Sequence, residues 1–233
     1  ISEVTLSTLR NYYELESNGS PLQIWQDPTN PSNIHACYTF SAEPTGWSDR
    51  TVQYFYSSDK GATWSFVGNV PAAGRSGFGT ISGLGSGAAL VATHTGVGSS
   101  AFVRTQIFVD AFPGLGSFTN LDPGASEDSK YIWPRVVATL NTTLANKFVF
   151  INSTNSTAFD SSFINAGTSI TASTFTGYKP AGAETAETYA IARGGDGRIG
   201  IAYLAPGTND PSVLGDVMFK ESTDNGNTFG AAT

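Results

Sequence analysis

Three kinds of side chain in this sequence could do chemistry together: arginine, aromatic and carboxylate. Arg75 stands in a Gly/Ser-rich loop segment, and Arg135 and Arg193 follow in two separate apolar runs. A guanidinium fork matches a carboxylate with two parallel hydrogen bonds, so arginines gathered around a funnel suit an acidic ligand. Trp25, Trp47, Tyr131 and Trp133 offer flat apolar plates with a polar edge, and Asp27 places an acceptor beside Trp25. These five are candidate ligand-binding residues. Glu187 precedes Tyr189 by two positions, and such a pair could act as base and nucleophile. Glu43, Asp49, Arg50 and Glu184 add charge nearby in the chain. The plainer reading makes the arginines surface or inter-strand partners, and Glu187 an edge residue beside a packed Tyr189.

Other chemistries fare worse. His35 and His94 are the two histidines of the chain, and they lie in different segments. No metal-spaced His/Cys pair and no Gly-x-Ser-x-Gly elbow occur, so neither metal nor cofactor is expected. The Gly-rich stretches Ser76–Gly79 and Ser82–Gly87 have no following helix that could cradle a phosphate, and read as turns. Cys37 is the single cysteine, set in an apolar run as a buried small hydrophobe. The net charge is −7 with no Lys/Arg cluster, which excludes a nucleic-acid groove and disfavours an anionic membrane surface. No run reaches the roughly 18 apolar residues of a membrane span.

These side chains need elements to position them. With 13% charged residues and abundant Gly, Ser, Thr and Asn, the composition suits short strands and tight turns better than helices. One motif repeats: Ser57-Ser58-Asp59-Lys60-Gly61-Ala62-Thr63-Trp64 and Ser222-Thr223-Asp224-Asn225-Gly226-Asn227-Thr228-Phe229. Both read Ser-x-Asp-x-Gly-x-Thr-aromatic. Asp59 and Asp224 are 165 residues apart, three periods of 55. The aromatics Trp64, Phe118, Phe175 and Phe229 follow at intervals of 54, 57 and 54. Degenerate copies therefore end at Ser117-Phe118 and Thr174-Phe175, with Asp110 and Gly116 as a distorted remnant. In each motif the aspartate can close an Asx-type turn, the glycine can take positive φ, and the aromatic can fill the gap between neighbouring units. The fixed residues of both motifs (Ser57, Asp59, Gly61, Thr63 and Trp64; Ser222, Asp224, Gly226, Thr228 and Phe229) are therefore read as structural rather than catalytic or calcium-binding.

The motif resembles the Asp box, or BNR repeat, of the sialidase-like superfamily. That resemblance implies an all-β fold, a β-propeller of four-stranded antiparallel blades. About four blades fit in this chain, as part of a larger propeller of six-bladed type. Blades are expected at about 20–70, 75–122, 130–177 and 187–233, with 1–19 as an N-terminal strand or linker. Second strands are read at Asn33–Phe40, Ala88–His94, Lys147–Asn152 and Arg198–Leu204. Third strands are read at Thr51–Ser57, Ala101–Val109, near Ala158–Ile164 and at Gly215–Ser222. The family's ligand face lies opposite the Asp-box turns, which directs attention to Arg75, Arg135, Arg193, Glu187 and Tyr189. Sialidases use an arginine triad, a Tyr–Glu nucleophile pair and an acidic Asp. Their Phe/Tyr-Arg-Ile-Pro motif is missing here: Pro21-Leu22-Gln23-Ile24 and Trp133-Pro134-Arg135-Val136 both depart from it.

The expectation is therefore a secreted or cell-surface module that recognises a glycan or an extracellular protein without catalysis. A sialidase-like glycoside hydrolase and a structural subunit of an extracellular assembly are the alternatives. Missing blades or self-association would close the ring.

Overall fold

The computed structural model describes residues 3–13, 22–72, 74–97, 99–121, 131–139, 148–154, 162–169, 174–175, 179–182, 189–204 and 216–233. Sixteen strands and no helix occur among them. The first sheet runs β1 (Ile24–Gln26), β2 (Ile34–Phe40), β3 (Thr51–Ser57) and β4 (Ser65–Asn69). The second runs β5 (Ser76–Gly83), β6 (Ala89–Val97), β7 (Ser99–Asp110) and β8 (Phe118–Leu121). The third holds β9 (Tyr131–Ala138), β10 (Phe148–Thr154), β11 (Ser162–Ser169) and β12 (Thr174–Phe175), with β13 (Lys179–Gly182) also paired to β11. The fourth holds β14 (Tyr189–Arg193), β15 (Ile199–Leu204) and β16 (Val217–Ser222). Neighbouring strands are antiparallel throughout. The chain end runs beside β16: Phe219 and Thr233 exchange backbone hydrogen bonds of 2.9 and 3.0 Å.

Packing between sheets explains why many strands are apolar on both faces. All eight residues of β5 are buried, because sheets cover it on either side. Cys37, Val52 and Tyr54 of the first sheet meet Ile81, Val91 and Phe108 of the second. Leu90, Ile107 and Leu121 meet Val136, Phe148 and Phe150 of the third. Val137, Val149 and Ile151 meet Tyr189, Ile191 and Ile201 of the fourth, with Phe229 packed alongside. Each fully buried aliphatic or aromatic side chain contributes about 1.5–3 kcal/mol, so these three seams outweigh any single hydrogen bond. Gly83 permits the closest approach: a Cβ there would lie 2.0 Å from the Trp25 ring.

One local expectation changes. The third strand of the third sheet is Ser162–Ser169, later than the Ala158–Ile164 read from sequence, and 155–161 lie outside the described residues. Residues 3–13 contain no strand; they are tied instead through Asn11, whose amide donates to Thr39 O at 2.8 Å and accepts from Ser41 N at 3.0 Å. A side chain that bonds backbone groups in this way replaces a ladder.

Candidate functional site

Antiparallel order puts the two repeated motifs at one end of the sheets and the β2–β3 loop at the other. At the turn end each aspartate is ringed by donors from its own motif, while Asn225 Oδ1 is buried without a partner among the described residues. Asp59 accepts from Thr63 N at 2.9 Å, Thr63 Oγ1 at 2.6 Å and Ser57 Oγ at 2.8 Å, while Ser57 Oγ accepts from Gly61 N at 2.9 Å. The second turn repeats the set: Thr228 N at 2.9 Å, Thr228 Oγ1 at 2.6 Å and Ser222 Oγ at 2.8 Å reach Asp224, and Gly226 N reaches Ser222 Oγ at 2.7 Å. The Asp59 carboxyl is held down at about 2, chiefly by the Thr63 hydroxyl and amide. For Asp224 burial pushes the other way, and the Thr228 and Ser222 bonds overcome it to give about 2. Asp110 closes the β7–β8 turn differently, accepting from Gly116 N and Ser117 N at 2.9 Å each.

The loop end gathers cations and strained aromatics. Its β2–β3 loop is folded by its own acids: Asp49 accepts from Ser41 Oγ and from Ala42 N at 2.9 Å, and Glu43 accepts from Ser48 N at 2.6 Å and Ser48 Oγ at 2.7 Å. Arg50 follows. Its Nε donates to Ser76 O and its Nη1 to Tyr13 Oη, both at 2.9 Å. The guanidinium lies 5.0 Å from the Tyr13 ring and 5.1 Å from the Phe78 ring. Burial, opposed by Tyr13 and reinforced by Arg75, lowers the Arg50 pKa. Arg135 is fully buried, donates to Pro134 O at 3.0 Å and lies 5.7 Å from the Tyr189 ring.

His94 sits at the focus of these cations. It packs 4.5 Å from the Phe78 ring, and its Nδ1 accepts from Trp133 N at 3.3 Å. That bond leaves the proton of the neutral imidazole on Nε2. Burial first, then the charges of Arg50, Arg135 and Arg75, push its pKa down to about 3, so it stays neutral near pH 7. Trp47, Phe78 and Trp133 have φ of 48°, 56° and 52°, in the left-handed region that bulky residues avoid. Phe78 and Trp133 stand at irregularities of β5 and β9, where the ladder skips. Backbone strain of this kind persists where surroundings over-determine it, and it concentrates at functional sites. Rings run from Trp47 to Tyr13 (5.4 Å), Tyr13 to Phe78 (6.2 Å) and Phe78 to Trp133 (6.5 Å), each pair edge-on.

The structure thus brings Arg75, Arg135, Trp47, Trp133 and Tyr189 to one end, Arg75 and Trp47 on the surface. Tyr189 Oη donates to Trp133 O at 2.6 Å. Trp25 and Asp27 lie elsewhere. Trp25 packs on Gly83 and on His35 at 5.1 Å. Asp27 is buried and accepts from Thr29 N and Oγ1 at 2.8 and 2.7 Å, a closed Asx turn. Arg193 lines a separate cavity of about 220 Å³ between inner strands, with Leu22, Trp25, Ile81, Val136 and Ile191. Glu184, Glu187 and the side chain of Tyr131 lie outside the described residues. His94, Tyr13 and Phe78 were not singled out by sequence as site residues; Phe78, flanked by Gly77 and Gly79, carried the one visible signal of an unusual backbone. Among the described residues no cluster of three or more His, Cys, Asp or Glu is placed to hold a metal ion.

No family model and no curated protein sequence matches the chain. Solved structures do. The α-L-arabinofuranosidase of Fusarium graminearum superposes with a TM-score of 0.55 at 12% identity, over 88% of this chain and 63% of that one. A Hadza microbial sialidase gives 0.58 at 13%, over 90% and 44%. A polysaccharide lyase described as an ulvan lyase gives 0.55 at 11%, over 85% and 51%. The fold is that of propeller-type carbohydrate-active proteins. The chain spans less than two thirds of the length of each of these structures.

Proposed function

We propose that this chain belongs to an exported Asp-box β-propeller of the sialidase-like superfamily and recognises an anionic glycan at its loop end without cleaving it. The carrying observation is the convergence of Arg50, Arg75 and Arg135 on neutral His94 beside three strained aromatics. Burial, reinforced by repulsion from Arg75, disfavours the charge of Arg50, and among the described residues neither arginine forms an ion pair. A carboxylate or sulfate between them would relieve that repulsion. The chain's net charge of −7 does not oppose this, since physiological salt screens it beyond about 8 Å. Trp47, 38% exposed, offers a sugar plate at the rim. The non-catalytic reading is supported by the hydrogen bonds that engage Asp49, Glu43 and the Tyr189 hydroxyl within the fold. We read the four sheets as blades at about 20–70, 75–122, 130–177 and 187–233 of a six-bladed ring, a reading supported by their sequential antiparallel strand order. The exposed Val217 and Phe219 on the fourth sheet support further blades or a second copy completing it.

The test is an array of sialylated, uronic-acid, sulfated and neutral glycans, run beside a fluorogenic sialoside. Acidic glycans should bind, and Arg50→Ala should weaken them about tenfold or more, as expected for a charged hydrogen-bonding partner. Sialoside turnover abolished by Arg50→Ala would establish the hydrolase instead.

A further inference from the structure

The N-terminal segment contributes to the site as well as covering the fold. Asn11 acts as a clip. Besides its two bonds to the first sheet, its Oδ1 accepts from Tyr13 N at 2.9 Å, which turns the chain toward the loop end. Tyr12 N donates to Ser41 O at 2.9 Å, and Trp47 Nε1 donates to Tyr12 O at 3.2 Å. The segment and the β2–β3 loop therefore hold each other. Tyr13 emerges from the clip half-buried, edge-on to both Trp47 and Phe78, with its hydroxyl 2.9 Å from Arg50 Nη1.

The consequence falls on Arg50. A guanidinium carries five N–H donors, and two are fixed here, one by Ser76 O and one by Tyr13 Oη. With the Tyr13 and Phe78 rings also at 5.0 and 5.1 Å, the plane of the group is set before any ligand arrives. Three donors, both on Nη2 and one on Nη1, remain for an acceptor. A neutral phenol suits this purpose. A carboxylate in its place would neutralise Arg50 and compete with an incoming anion, whereas Tyr13 leaves the positive charge intact.

We infer that Tyr13 is a positioning residue for Arg50, delivered by the Asn11 clip, and that it selects acidic over neutral ligands by fixing the Arg50 donors in advance. The selectivity half of this inference rests on the glycan reading, and the positioning half does not.

The experiment uses the full chain, ¹⁵N-labelled, with the Arg50 Nε–Hε resonance assigned through Arg50→Lys. Tyr13→Phe keeps the ring and removes the hydroxyl; Asn11→Ala keeps the hydroxyl and removes the clip. Each should speed exchange of Arg50 Nε–Hε with water about fivefold or more, with the melting temperature of Tyr13→Phe close to that of the parent. With 3′-sialyllactose and lactose as probes, Tyr13→Phe should lose about tenfold for the acidic sugar and less than twofold for the neutral one. Unchanged exchange in both variants overturns the positioning role. Equal losses for both sugars overturn the selectivity. If the parent binds neither sugar, the glycan reading fails, and the exchange measurement still decides what Tyr13 does.

Discussion

The two ends of the sheets treat polar groups in opposite ways. At the turn end, Asp59 and Asp224 are each surrounded by donors from their own eight-residue motif. At the loop end, Arg50, Arg75 and Arg135 crowd a histidine that cannot accept a proton near neutral pH. Positive φ occurs at both ends with different company. Lys60 and Asn225 take 62° and 60° inside tight turns, where a polar residue tolerates it. Trp47, Phe78 and Trp133 take similar values with bulky rings. Local chemistry satisfies the aspartates of the first end. The second is held by contacts between sheets and retains unused hydrogen-bonding capacity. Carboxylates that stand out in the sequence, Asp59 and Asp224, are structural, while less conspicuous arginines gather at the opposite end.

Changes at the turn end should move stability and leave glycan binding alone. The largest expected effect comes from acid, which reaches one histidine near each end: His94 at the loop end and His35, paired with Tyr56 beside the first turn. His94 and His35 have folded-state pKa values of about 3 and about 4, against 6.5 when unfolded, burial being the main cause for each. The unfolded chain therefore takes up protons first as pH drops below 6.5. Stability should fall from there toward pH 4 by up to about 2.7 kcal/mol per pH unit, two protons' worth. Asp59 and Asp224 act in a lower window: their contribution is present above 3.8 and is lost as pH falls through about 2. Urea midpoints measured at several pH values would show this, and a flat response between pH 6.5 and 4.5 would refute the buried neutral histidines. Next comes Gly226→Ala. That residue has φ of 81°, and a Cβ would lie 2.2 Å from Val149 Cγ2. Left-handed strain and overpacking together should cost about 3 kcal/mol in urea unfolding. Gly195→Ala, with nothing within 4 Å, is the control and should be nearly silent. Smaller again is Ser57→Ala, which removes the acceptor of Gly61 N and should cost about 1–2 kcal/mol with unchanged glycan affinity. A loss of binding in this variant would show that the two ends are coupled.

The all-β architecture was legible because its strands are short apolar runs separated by turn residues. Thr51–Ser57 shows this well: its sequence limits coincide with β3. The turn chemistry was equally local, since each aspartate bonds partners within four residues. The loop end was legible only by residue type. Arg75 and Arg135 could be named as candidates, but the Arg50–Tyr13 bond joins residues 37 apart and the Trp133–His94 bond residues 39 apart. No periodicity reports such pairs, because they are set by how one sheet seats on another. Asp27 misled in the opposite direction. Its Asp-Pro-Thr context was a local turn signal, and the observed Asx turn follows from it.

Asp110 has a consequence for how such chains diverge. It closes its turn from the last position of β7, where the first sheet carries Ser57, yet it reaches the same result by gathering two backbone amides. What the turn requires is a carboxylate that satisfies those amides, and more than one spelling supplies it. Drift can therefore erase the recognisable letters from a repeat while the physical device survives, so counts of intact motifs will understate how many sheets of this kind a lineage has kept.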